Sequence, residues 1–233
     1  LGNNKASIVR VRLVGRPGSG AVGLALTRRY VGPMLVKSLT VEGFRVGVNV
    51  SNPQCSVTIV DINLRGQTFA GLANSQNVIS VEKLRSEQAT AEVPAILLTT
   101  GHGACPDKGQ DVAQGLTTVI EANMTANESA GAATSAVRIS CGCLYGRDLK
   151  SHGYGVTVRS PDADGGEQAW QAPESATGEI VYPAQNVTAL WDGPGRSLRL
   201  PVRDTPENDA ALYEDVSGWV SVCDSKFGTS GAG

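Results

Sequence analysis

The sequence predicts an all-β chain folded as an antiparallel sandwich or barrel, and three observations carry that prediction. Short stretches alternate between apolar and polar residues along most of the chain. Turn formers punctuate them, with 28 Gly and 11 Pro among 233 residues. Helical periodicity is confined to a few short segments.

The elements follow in order. Ser7 to Val14 alternates and stops at Gly15-Arg16-Pro17-Gly18, a hairpin turn. Leu35 to Leu39 and Phe44 to Val50 read as the next strands, with Asn52-Pro53 as the turn behind them. Ser56 to Asn63, Val78 to Val81 and Ala95 to Thr99 lead to the Gly-rich loop Gly101-His102-Gly103. Leu116 to Met124, Ala136 to Leu144 and Tyr154 to Arg159 follow. The last third offers Glu179 to Tyr182, Val187 to Trp191, Ser197 to Val202 and Trp219 to Cys223. About a dozen strands at this spacing suit a sandwich or barrel. Short helices are expected at Phe69 to Ala73, Gln110 to Gln114 and Asp209 to Asp215. The stretch from Ser160 to Gly178, rich in Pro, Gly, Asp and Ser, reads as a long surface loop. No segment repeats at a fixed period, which argues against a solenoid or propeller. A single domain over residues 1–233 is the expectation.

The formal net charge of −2 hides a gradient. Residues 1–50 hold eight Lys and Arg against one acidic residue, a balance of +7, whereas residues 151–233 come to −7. A basic start points to a polyanion-facing surface. Its members are Lys5, Arg10, Arg12, Arg16, Arg28 and Arg29. On an alternating strand Arg10 and Arg12 share one face, opposite Val9, Val11 and Leu13. Tyr30 beside Arg28 and Arg29 offers a ring for stacking on a base. The other reading of these charges is a solvated face paired with the acidic C-terminal third.

Five cysteines (Cys55, Cys105, Cys141, Cys143, Cys223) are an odd number in a chain too long to need a disulfide scaffold. Cys141 and Cys143 fall in one strand pattern, where geometry disfavours a bond between them. Free thiols in a reducing compartment are therefore expected. Four Asn-x-Ser/Thr sequons, at Asn49, Asn123, Asn127 and Asn186, matter if the chain is secreted.

Motifs for catalysis fail one at a time. Gly15 to Gly20 lacks the Lys-Ser/Thr of a phosphate-binding loop, and no nucleophile elbow is present. Cys105 and His102 are close enough in one loop to touch, yet nothing orients the imidazole. Asp162, Asp164 and Glu167 supply only part of a calcium-loop pattern. The expectation is no enzyme, no cofactor and no metal. Apolar runs of four or five residues are too short to span a bilayer, and no amphipathic stretch suits a membrane surface.

The middle of the chain, from Leu35 to Lys150, resembles a known pattern. Leu35-Val36-Lys37-Ser38-Leu39, Phe44 to Val50, Cys55 to Asn63, Ala70-Gly71-Leu72, Val93-Pro94-Ala95-Ile96 and Ala136 to Tyr145 carry it. In this order they resemble the β-rich core of the thirty-kilodalton superfamily of plant-virus movement proteins. That core is similar to the jelly roll of small icosahedral virus coat proteins. The resemblance implies a single jelly-roll-like antiparallel β-sandwich with short helices in its loops. It makes Asp61 a fold-supporting residue at a strand end.

The function expected from this reading is a viral coat protein that assembles into an icosahedral-type shell around single-stranded RNA. Its partners are copies of itself, other coat subunits and the RNA. Its place is the virion, and the host cytoplasm before assembly. Trp170, Trp191 and Trp219 are candidates for subunit contacts. Two alternatives keep a β fold: a movement protein binding single-stranded nucleic acid, and a secreted or surface adhesin or pilus subunit.

Overall fold

The computed structural model describes residues 6–16, 20–28, 33–51, 56–75, 77–99, 115–128, 131, 133–161, 167–170 and 179–182. All belong to the compact unit Leu1–Trp191. Among the described residues fourteen strands form: β1 (Ser7–Val14), β2 (Val22–Leu26), β3 (Met34–Glu42), β4 (Val46–Val50), β5 (Ser56–Arg65), β6 (Ala70–Asn74) and β7 (Val78–Thr90). They continue as β8 (Ile96–Leu98), β9 (Leu116–Glu128), β10 (Ser135–Ile139), β11 (Cys143–His152), β12 (Val156–Pro161), β13 (Glu167–Trp170) and β14 (Glu179–Tyr182).

Two seven-stranded sheets result, one in the order β1-β3-β5-β7-β9-β11-β14 and the other β13-β12-β10-β8-β6-β4-β2. Each odd strand therefore leads to the even strand of the facing sheet and returns one level further along. Every pairing from β1 to β12 is parallel. The fold is a parallel β-solenoid of six coils, not the antiparallel jelly-roll sandwich expected from the sequence. Among the described strands only β13 and β14 run antiparallel to their neighbours, β12 and β11.

Equivalent positions on successive coils stack into columns. Val11, Leu39, Ile62, Leu84, Ala122 and Leu149 form one inward column. Leu24, Val48, Leu72, Ile96, Val137 and Val158 face it from the second sheet. From the second coil to the fifth these side chains are 0–2 % exposed, so the core is a continuous apolar cylinder.

A repeat is present after all. Gly23, Gly47, Gly71 and Ala95 follow one another at intervals of 24 residues. The three glycines allow a close approach of coils: a Cβ on Gly47 would stand 2.6 Å from the carbonyl oxygen of Gly71 and 2.9 Å from Leu64. The period is hidden because the coils differ in length. Val57 pairs with Ile79, 22 residues on, but Val78 pairs with Leu116, 38 residues on.

The odd strands share one local feature. Arg10, Ser38, Asp61, Lys83, Glu121 and Asp148 all have φ between 54° and 60°. The register places these six directly above one another. A single left-handed residue bends each strand and shifts its alternation. In β5, Val57 and Ile59 point inward before the bend and Ile62 and Leu64 after it, leaving Val60 and Asp61 adjacent on the outside.

Three local expectations are corrected. Phe69 to Ala73 is not a helix: it runs into β6, whose five residues are all buried. The segment from Ser160 to Gly178 contains β13. Val9 does not lie opposite Arg10, because the bend leaves both exposed, Val9 at 43 %. The expected helices at 110–114 and 209–215 lie outside the described residues.

Candidate ligand-binding face

Bends and register together build the outer surface of the first sheet. Beyond the bend, two outward columns run the length of the solenoid. One is Arg12, Thr40, Asn63, Arg85, Asn123 and Lys150. The other is Val14, Glu42, Arg65, Glu87, Thr125 and His152. Arg12, Arg85, Asn123 and Lys150 are exposed, and Thr40 and Asn63 are half-buried. Cations thus recur along one line, separated by neutral groups that donate and accept hydrogen bonds.

Two ion pairs brace the columns, one across them and one along the second. Arg12 grips Glu42 with Nε at 3.3 Å and Nη2 at 3.0 Å. These bonds lift the Arg12 guanidinium and hold the Glu42 carboxyl below its ordinary value. Arg65 pairs with Glu87 at 3.3 Å. Both pairs are solvent-exposed, so each holds geometry more than it adds stability. Arg85 and Lys150 have no ion pair among the described residues, and their backbones stand two coils, about 10 Å, apart.

Of the six expected cations, Arg10, Arg12, Arg16 and Arg28 all belong to the first coil, and all are exposed. Lys5 and Arg29 lie outside the described residues. Asp61 sits in the middle of β5 at the bend, not at a strand end, and accepts a hydrogen bond from Ser38 Oγ at 3.0 Å. Trp170 closes β13, with its side chain outside the described set, as are Trp191 and Trp219 altogether. His102, Cys105, Asp162 and Asp164 fall outside it too, as does the side chain of Glu167. Cys141 is disulfide-bonded, contrary to the expectation of free thiols, while Cys143 is free. Among the described residues no three His, Cys, Asp or Glu side chains converge on a metal position, and no helix is long and apolar enough to cross a membrane.

Arg85 and Lys150 escaped the sequence reading. Their signal is the interval from Thr40 to Asn63 to Arg85, 23 and then 22 residues, which the longer fourth coil interrupts. Family models, curated proteins and solved structures were compared with the chain, and none matches it. Nothing therefore links it to viral coat or movement proteins.

Proposed function

We propose that this chain is a binding module that holds an extended acidic polysaccharide along the outer face of its first sheet. The observation that carries the reading is the column Arg12, Thr40, Asn63, Arg85, Asn123, Lys150, in which charge and hydrogen-bonding groups keep a fixed spacing on a rigid support. Parallel register sets that spacing at about 4.8 Å per coil, so a polymer lying along the solenoid axis meets the same geometry repeatedly. A sugar polymer is favoured over single-stranded RNA because the two outward columns carry no Phe, Tyr or Trp on which successive bases would stack, the one ring there being His152 at the end of the second. The disulfide at Cys141 supports a place in an oxidising compartment, where such polymers are met. The shell-subunit reading drew on the strand count, the basic start and a jelly-roll resemblance, and the parallel coils remove the last of these.

Affinity electrophoresis through gels containing polygalacturonate, dextran or no polymer tests the proposal. Retardation by polygalacturonate alone is expected, weakening steeply with salt. The double variant Arg85→Ala/Lys150→Ala should lose about tenfold in affinity, with an unchanged circular dichroism spectrum. Equal retardation by dextran, tighter binding to RNA, or megadalton particles in light scattering would each overturn it.

A further inference from the structure

Before the bend, the outer face of the first sheet carries apolar side chains in the open. Among the described residues six large apolar side chains are well exposed, and four of them, Val9, Leu35, Val78 and Leu116, lie on this half-face at 38–47 %. Val78 and Leu116 are neighbours in register, and Leu35 stands above Thr58 in the column beside them. Apolar side chains gathered on one face mark a contact surface.

The charges at its border select the partner. Along the solenoid the bend positions read Arg10, Ser38, Asp61, Lys83, Glu121 and Asp148. Asp61 and Lys83 sit on adjacent coils. A second copy, turned by half a turn so that its coils run the opposite way, sets each Asp61 against the other copy's Lys83. Lys83 holds its own Glu82 only at 3.9 Å, which leaves its ammonium donors to spare. The same half-turn sets Arg10 against Asp148 and brings Lys37, next to Ser38, toward Glu121. Like charges meet at none of these bend positions. A half-turn is the symmetry of an isologous dimer, in which every contact occurs twice.

We infer that two copies of this chain pair through this half-face, with their coils in opposite order. Leu35, Val78 and Leu116 leave water in the contact, and the two Asp61–Lys83 pairs at its centre fix the register. Coils about 4.8 Å apart and strand halves of about six residues give a patch of about 500 Å² on each copy. About 1,000 Å² in all is the lower end for a specific interface, so the dimer is a weak one, of micromolar affinity. The columns assigned to the polysaccharide lie beyond the bend and take no part, so the two readings stand or fall separately.

Sedimentation equilibrium of the full chain up to about 1 mM tests this, with a reversible monomer–dimer equilibrium expected. Asp61→Lys and Lys83→Asp each set like charges face to face at the centre, and each should weaken the dimer about tenfold. Asp61→Lys/Lys83→Asp restores opposite charges and should bring the affinity back to within about threefold of the original. Lysine and aspartate both already occupy the left-handed bend, so the β spectrum should hold in all three variants. Arg85→Ala/Lys150→Ala should leave the dimer unchanged. Monomers at about 1 mM would mean that something other than a second copy covers the face, and would overturn the proposal. Assemblies larger than two copies, or a double swap as weak as the single ones, would overturn it as well.

Discussion

Tyr154 illustrates how single residues tie coils together. Its hydroxyl donates to the carbonyl of Val93 at 3.1 Å, and the side chain is 9 % exposed. Burial pushes the phenol well above its ordinary value, against a smaller opposing pull from Arg138. The folded state therefore keeps the proton while the unfolded chain loses it above about pH 10, so stability is full below that pH and falls as pH rises beyond it. Tyr154→Phe should cost about 1 kcal/mol at neutral pH, because the Val93 carbonyl loses its donor. The variant should also show a flatter decline above pH 10. Urea midpoints of both proteins between pH 7 and pH 11.5 check this, and parallel curves would refute it. Buried amides serve the same purpose: Gln88 Nε2 donates to Gln67 Oε1 at 2.8 Å and to Ser86 Oγ at 2.9 Å. Gln67 in turn donates to the carbonyls of Val41 and Arg65, so one network joins three coils. No periodicity announces such pairs, because Gln67 and Gln88 meet only once the coils stack.

At the scale of the element, the bend is the feature that the alternation rule misreads. Left-handed backbone costs a residue with a side chain about 1–2 kcal/mol, yet six odd strands adopt it. What offsets the cost is burial on both sides of the bend: in β3, Met34, Val36, Leu39 and Val41 are all at most 4 % exposed. Lys83 is exposed and makes only a long ion pair to Glu82 at 3.9 Å, so its identity contributes little else. Lys83→Asn should raise stability by about 0.5–1 kcal/mol, since Asn tolerates this conformation. Lys83→Val should lower it by about 1–2 kcal/mol, since a β-branched residue does not. Chemical denaturation ranks the three proteins, and an order other than Asn above Lys above Val would contradict the bend. Strand positions were largely legible: Ser7 to Val14 coincides with β1, and Ser56 to Asn63 lies within β5. Phe69 to Ala73 was misread because a short apolar run lacks the length to show which period it follows. The face of Val9 was misread because strict alternation has no place for a left-handed residue.

At the scale of the molecule, a solenoid is close to one-dimensional, each coil resting on its two neighbours. Removing residues 47–70 joins Val46 to Gly71 and deletes one coil. Val36 then lies over Val81 and Leu39 over Leu84, in columns that already exist. The shortened chain should retain its β spectrum and unfold in one transition at a lower urea midpoint, with Gln88 now lacking Gln67. An unfolded product would speak against independent coils. The sequence by itself determined that the chain is all-β, which apolar residues turn inward along most strands, and that its basic charge gathers at the start. The ladder of Gly23, Gly47, Gly71 and Ala95 was also written there, although uneven coils concealed it. Only the tertiary structure decided that the strands run parallel and that Arg12, Arg85 and Lys150 share one line. The reason is physical. Alternation is a property of one strand and its two faces, whereas pairing direction is settled between strands, by contacts of residues 21 to 41 positions apart whose side chains fill one core together.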